Sequence, residues 1–454
     1  MNSKKRINRD HAKKKNRPQV ENEAVANHLE DLLIPAMAAQ KTFYRQLNLR
    51  DRILTLPLMM AAILSLLWRD VAGVTELTRL LNRSGFLWCQ PQEISQQALS
   101  QRFLTFPAVL FEKVFKELLP HFRREWLTRK SRPLPDSVQF ALKNFENIWI
   151  ADGSTLEALF RKLESLSDVP ICQLSGKMGV IIDLVTHLPE EIWFWTNPKQ
   201  ADTNWEEELL KTVKPKTLLL LERGFYHFAF GSKLIEQEIG FITRIKKGAS
   251  YQVERVLTNT YDVKDQIIRI GAGTKKTPAL TIRLVQIRSK NSWRSYLTSV
   301  REPQILPPYV VADLYQRRWR IIEEVFCTVK RLLNLSYLWT GSLNGIKLQI
   351  WATWLFYAVL VDLGDAVADE LGVPIERVSL EMIYRGMYHF SVAYQKGIAS
   401  DLVKYFADDK NQDLGIVKRR RKPHVRLIIS PFPGTQRSPE QFFFNNKGTN
   451  GVIF

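Results

Sequence analysis

Apolar positions recur at helical spacing from about residue 21 to about residue 130. LTLPLMMAAILSLLWRDV reads as one apolar helix. GVTELTRLLNRSG and ISQQALSQRFLTF read as two short amphipathic helices around a Gly/Pro-marked connection. PAVLFEKVFKELLPHF continues the helical run, and SRPLPDS breaks it. The pattern changes after Pro135. FENIWIADGS predicts a strand ending in a turn, and KMGVIIDLVTHLPEEIWFWT a β-hairpin folded at HLPEE. DTNWEEELLKTVK predicts an amphipathic helix capped by Asp202 or Thr203, and KTLLLLERGF a buried strand followed by a turn. The order is strand, strand, strand, helix, strand. Between about 241 and 300 the short runs FITRIKK, YQVERVL, QIIRIGAG, LTIRLVQIR and SYLTSV predict an inserted β region. Helices return at DLYQRRWRIIEEVFCTVKRLLNL. In the apolar stretch from Ile346 to Gly364, Lys347, Gln349 and Asp362 interrupt the run, so a buried core helix is expected there rather than a membrane span.

Composition adds a partner class. The chain has 454 residues, 45% hydrophobic and 24% charged, which is globular material with ample core. Its 65 Lys+Arg against 46 Asp+Glu give a net charge of +19, a surplus that suits a polyanion: DNA, RNA or an anionic membrane. No amphipathic anchor accompanies the basic runs, which disfavours a membrane surface. Residues 1 to about 20 read as a basic disordered arm without the apolar segment of a secretory signal, and VKRRRKPHVR forms a second basic run near the C-terminus. Cys89, Cys172 and Cys327 have no zinc spacing and suggest a reducing interior, and the seven histidines form no paired ligand pattern. Arg79, Arg83 and Arg102 on the two short helices fit a helix-turn-helix reader, although a plain helical bundle explains the same pattern.

Three acidic positions stand out. Asp152 follows IWIA and precedes Gly153-Ser154-Thr155, an acid in an apolar frame that suits either a site or a turn cap. Glu222 directly follows four leucines before Gly224, and a solvated strand-end glutamate paired with Arg223 or Lys216 is the plainer alternative. Glu323 and Lys330, seven apart on a predicted helix, share a face, as solvated pairs also do.

Together IWIADGST, LLLLERGFY and YQRRWRIIEEVFCTVK resemble the three acidic motifs of the insertion-sequence-four family of bacterial DDE transposases, the third being its Y-x2-R-x3-E-x6-K signature. The resemblance covers about residues 95 to 365 and includes KRLLNLSYLWTGSLNGIKLQIWATWLFYAVLVD. It implies an α/β fold: an RNase-H-like catalytic core with a β-rich insertion and a helical N-terminal domain. It implies cleavage and strand transfer at terminal inverted repeats with magnesium, for which manganese substitutes, and a homodimer on double-stranded DNA in the bacterial cytoplasm, without membrane. Asp152, Glu222 and Glu323 are then the expected metal-binding acids, and Tyr315, Arg318 and Lys330 the expected phosphate contacts. Trp293 is the nearest match to a base-stacking tryptophan of some relatives, with core packing as its alternative.

Two departures bear on activity. The second acid is Glu where the family has Asp, and Arg318 to Glu323 is five residues where the family has four. The extra residue turns a regular helix by roughly 100°, which a π-bulge near Ile321–Ile322 would absorb. Glu324, Asp183 and Asp313 are the reserve acids, and a catalytically impaired DNA-binding derivative is the alternative function. The expected division is a basic arm (1–20), a helical DNA-binding domain (21–135), the first part of the core (136–240), the insertion (241–305), the helical second part of the core (306–400) and a basic tail (401–454).

Overall fold

The computed structural model describes residues 23–418 except 50, 51, 69, 70, 72, 157–175, 196–204, 226, 275–277, 290, 291, 334 and 336–341. Several sequence expectations therefore lie outside the described residues: both basic arms, Cys172, the capping role of Asp202 or Thr203, Tyr226, and part of the segment after Leu335. In chain order the helices α1 (Glu23–Ala38), α2 (Lys41–Gln46), α3 (Leu56–Trp68), α4 (Val74–Arg83), α5 (Gln96–Thr105), α6 (Val109–Thr128) and α7 (Asp136–Ala141) precede the strands β1 (Asn147–Thr155), β2 (Lys177–Asp183) and β3 (Pro189–Trp195). Then come α8 (Glu206–Thr212), β4 (Thr217–Leu221), α9 (Phe228–Glu236), β5 (Gly240–Arg244), β6 (Tyr251–Asn259), β7 (Val263–Ile270), β8 (Leu280–Ser289) and β9 (Ser292–Thr298). The chain continues through α10 (Pro308–Cys327), a π-helical turn (Thr328–Leu332), α11 (Leu343–Glu370), α12 (Leu380–Gln395) and α13 (Leu402–Ala407).

The chain divides into two units. One comprises Pro133–Cys327 and contains every named strand. Its nine strands form one sheet in the order β3-β2-β1-β4-β5-β9-β8-β7-β6. β1 is antiparallel to β2 and parallel to β4, and β4 is parallel to β5. β4 is buried on both faces along its whole length, which its unbroken leucines permit and a central parallel strand requires. Trp149, Ala151, Leu219, Leu221 and Phe241 point to one face, where they pack with Trp205, Leu209, Phe225 and Phe230. Because side chains alternate along a strand, Ile150, Asp152, Leu220 and Ile242 belong to the other face, the one α10 covers.

The insertion extends this sheet instead of folding apart. β6 to β9 make an antiparallel meander, joined to the core by β5 against β9. Its expected start at residue 241 is corrected: FITRIKK supplies β5, the third parallel strand of the core. Arg283 on β8 pins the meander, bonding Asp265 through both Nε and Nη2 at 2.7 Å and the Leu306 carbonyl at 2.7 Å, with both charged side chains fully buried.

The other unit joins the helices up to Arg132 with those from Thr328 to Lys418. The segment 306–400, expected to complete the core as one piece, is thus divided: α10 covers the sheet, and the later helices pack with α1 to α6. α11 is the one helix among the described residues long and apolar enough to cross a membrane, and 94% of its apolar window is buried against the helices around it. Its buried Asp362 and Asp365 bind Arg129 at 2.8 and 3.0 Å, and Arg132 closes on Asp365. α4 and α5 are separated by residues 84–95, too long a connection for the three- or four-residue turn of a helix-turn-helix. Arg79 pairs with Glu76, and Arg102 lies over the Phe106 ring while bonding the Leu54 carbonyl.

Candidate active site

Asp152 and Glu222 are made neighbours by strand register. The last parallel pair between β1 and β4 is Ala151 with Leu221, so the next residue on each strand is an acid, and both point to the α10 face. Adjacent strands lie about 4.8 Å apart, which sets the scale of their separation. Asp152 was expected at a strand end, but β1 runs on through it to Thr155 because β2 remains paired as far as Lys177. It is a strand residue, 5% exposed, whose Oδ1 accepts from the Gly153 N–H at 2.7 Å. Glu222, half-buried, does sit where its strand ends, before the short helical turn Arg223–Phe225.

Arg318 closes the site from α10. Its Nη1 donates to Asp152 Oδ2 at 2.7 Å, and both side chains are nearly buried. Burial pushes the Asp152 carboxyl up to about 6, the Arg318 guanidinium pulls it down, and the Glu222 charge pushes it up again. The Glu222 charge felt at Asp152 is what an acid close by produces. Arg318 also hydrogen-bonds the Tyr315 phenol and lies 5.2 Å from its ring centroid. Burial raises the Tyr315 phenol above its ordinary value.

Two further residues reach this corner, and motif reading missed them. Arg244 on β5 pairs across from Tyr296 on β9, and its charge acts on both the Tyr296 and Tyr315 phenols. The two tyrosine rings stand 5.4 Å apart. Extending the β4–β5 register two residues beyond Leu220 and Ile242 sets Arg244 beside Glu222. Asp152, Glu222, Arg244 and Tyr296 therefore form a row across four strands, just past the last parallel pair of β1 and β4, toward the carboxyl side where open α/β sheets bind ligands. The signal was period-two alternation in FITRIKK, usable only once the strand partners are known.

Residues 173–359 match the family model described as the transposase DDE domain. Over that segment the chain resembles a DDE transposase domain, which supports transposase function and, with it, DNA as partner and a divalent metal as cofactor. The matched segment includes Glu222, Tyr315, Arg318 and Glu323, and begins after Asp152. No curated protein matches the chain.

Three expected site residues are placed differently. Glu323 is exposed on α10, because the buried stripe of that helix runs through Val311, Leu314, Tyr315, Arg318, Ile322 and Val325. The position one helical turn after Arg318 is held by Ile322, 5% exposed, and so carries no carboxylate. The π-helical turn does exist, but at Thr328–Leu332, beyond Glu323 and too late to rotate it inward. Lys330 lies within that turn, so its seven-residue spacing from Glu323 is not purely α-helical. Trp293 shares a strand face with Leu297, opposite Tyr296 and the acids, and is 36% exposed with the Lys264 ammonium 4.9 Å above its ring. It is neither core nor part of this site.

The reserve acids have other work. Asp183 caps its own turn through the Val185 and Thr186 N–H groups, and Asp313 accepts from Ser137 and Arg317. Glu324 is half-buried on the same helix. No group of three metal-ligating side chains occurs among the described residues. Asp152 and Glu222 are two hard oxygen donors, a set that suits magnesium or manganese, since magnesium is commonly held by one or two carboxylates and several waters.

Proposed function

We propose that this chain is a DNA transposase of the DDE type, related to the insertion-sequence-four family, that cleaves and rejoins DNA at terminal inverted repeats. The observation that carries the reading is the placing of Asp152 beside Glu222 on adjacent parallel strands, in a chain whose residues 173–359 match a transposase DDE domain. The strand arrangement, with β1 central, antiparallel to β2 and parallel to β4 and β5, supports an RNase-H-like core. The net charge of +19 suits a duplex DNA partner.

In this reading Asp152 and Glu222 would hold magnesium. A bound divalent ion supplies Lewis-acid polarisation of the phosphodiester and lowers the pKa of its water. Arg318, Arg244 and Tyr315 bind and orient phosphate oxygens, with Arg318 offering a rigid planar fork. Asp152, Arg318 and Tyr315 are buried, which strengthens the charge interactions among them. The test is magnesium-dependent cleavage of a duplex carrying the sequences that flank the reading frame. Cleavage is expected from the wild type and not from Asp152→Ala; equal cleavage by both would refute the assignment.

A second reading rests on one specific observation, the inward Ile322 and the exposed Glu323. A site with two carboxylates in place of three suits an impaired, transposase-derived DNA-binding protein. Tight binding to flanking DNA with no cleavage by the wild type or by Glu222→Asp favours it.

A further inference from the structure

We infer that Arg318 stands in for the divalent cation, and that the ion reaches Asp152 only by displacing the guanidinium. The inference rests on the proposed metal site at Asp152 and Glu222, and adds what happens before an ion arrives.

The carboxylate that a metal would need already has a positively charged partner. Asp152 has two carboxylate oxygens: Oδ1 accepts from the Gly153 N–H and Oδ2 from Arg318 Nη1, both at 2.7 Å. Arg318 is 4% exposed, and its Nε is buried with no hydrogen-bond partner among the described residues. A buried guanidinium with an unpaired N–H is not fully satisfied where it stands, because each such group costs about 1–3 kcal/mol. Arg318 is nevertheless held there, because a buried Asp152 beside the Glu222 charge and without a cation is worse. The arginine thus neutralises Asp152.

A second cation in the same corner changes the balance. A divalent ion on Asp152 and Glu222 sits against the arginine's charge and removes the carboxylate that holds it. Arg318, already against the Tyr315 phenol, is then free to bond a phosphate oxygen. The two ligands are coupled: a phosphate that draws Arg318 away favours the metal, and the metal favours the phosphate. The positive charge serves the site in both states, first on the acid and then on the substrate.

The experiment uses the full chain and manganese ion as the probe, at pH 8. Calorimetric titration compares the wild type with Arg318→Gln. The variant is expected to bind manganese more tightly, by a factor in the usual range of coupled sites, about 5–150-fold. Equal or weaker binding by the variant overturns the inference while leaving the metal site in place. Absence of binding in both proteins, with Asp152→Asn as control, overturns the metal site as well. A readout independent of any variant is the side-chain nitrogen resonance of Arg318 in the wild type during a magnesium titration. Its signals are expected to shift in step with magnesium saturation; signals unchanged at saturation would show that the ion pair persists.

Discussion

Ionisation of Asp152 governs what the site holds. Burial sets its carboxyl at about 6, above the ordinary carboxyl range, despite the Arg318 guanidinium. The sign follows: the neutral acid is favoured in the folded protein, so that contribution to stability is present at low pH and lost as pH rises through about 6. Cation binding needs the ionised form and runs the opposite way. Manganese affinity is expected to be constant near pH 8 and to fall below pH 6 by about tenfold per unit, because each ion then displaces one proton. Titration at several pH values checks this, and Asp152→Asn should abolish the binding that follows this profile. The helix position of the third acid gives a second contrast. Glu323→Gln removes an exposed charge and is expected to leave metal binding within about twofold, whereas Ile322→Glu places a carboxylate on the buried stripe and is expected to add a ligand. The two variants, measured by manganese stoichiometry, separate a displaced third acid from a missing one.

Elements explain why some of this was legible in sequence and some was not. Unbroken leucines before Glu222 announced a buried strand, and IWIA before Asp152 another; that the two pair in parallel at the centre of the sheet came only from the structure. The short β-like runs of the insertion also correspond to strands. Register, in contrast, depends on partners distant in the chain. Arg244 joins the site because β5 lies beside β4, and Trp293 leaves it because it alternates with Tyr296; neither fact is local. Likewise, one extra residue between Arg318 and Glu323 is absorbed by turning Glu323 outward, with the π-helical turn five residues later. The buried pair Arg283–Asp265 is another long-range device, tying β8 to β7 and to the Leu306 carbonyl before α10. Arg283→Met strands a buried aspartate and is expected to cost about 3–5 kcal/mol in urea unfolding. Pairing it with Asp265→Leu should restore most of that loss, because the uncompensated charge is the damage.

At the scale of the molecule, charge and fold point to one partner class. A net charge of +19 predicts that affinity for duplex DNA falls steeply with salt, the logarithm of the binding constant declining linearly with the logarithm of salt concentration. Filter binding across salt concentrations checks this; a flat response would remove DNA as the partner. The sheet unit supplies the acids, and the helical unit assembles around the buried α11, whose apolar length serves a core. His28 on α1 gives that unit its own pH response. Burial lowers its pKa, against the pull of Asp362 and Asp31, so neutral His28 favours the fold at neutral pH and the contribution is lost as pH falls below the ordinary histidine value of 6.5. A urea midpoint lower at pH 5.5 than at pH 7.5 is expected, and His28→Gln should reduce the difference. The central claim is that the two acids hold one ion between them. Anomalous diffraction from crystals grown with manganese tests it most directly. The account predicts a peak within bonding distance of both the Asp152 and Glu222 carboxylates; a peak elsewhere, or none at a concentration that supports cleavage, would contradict it.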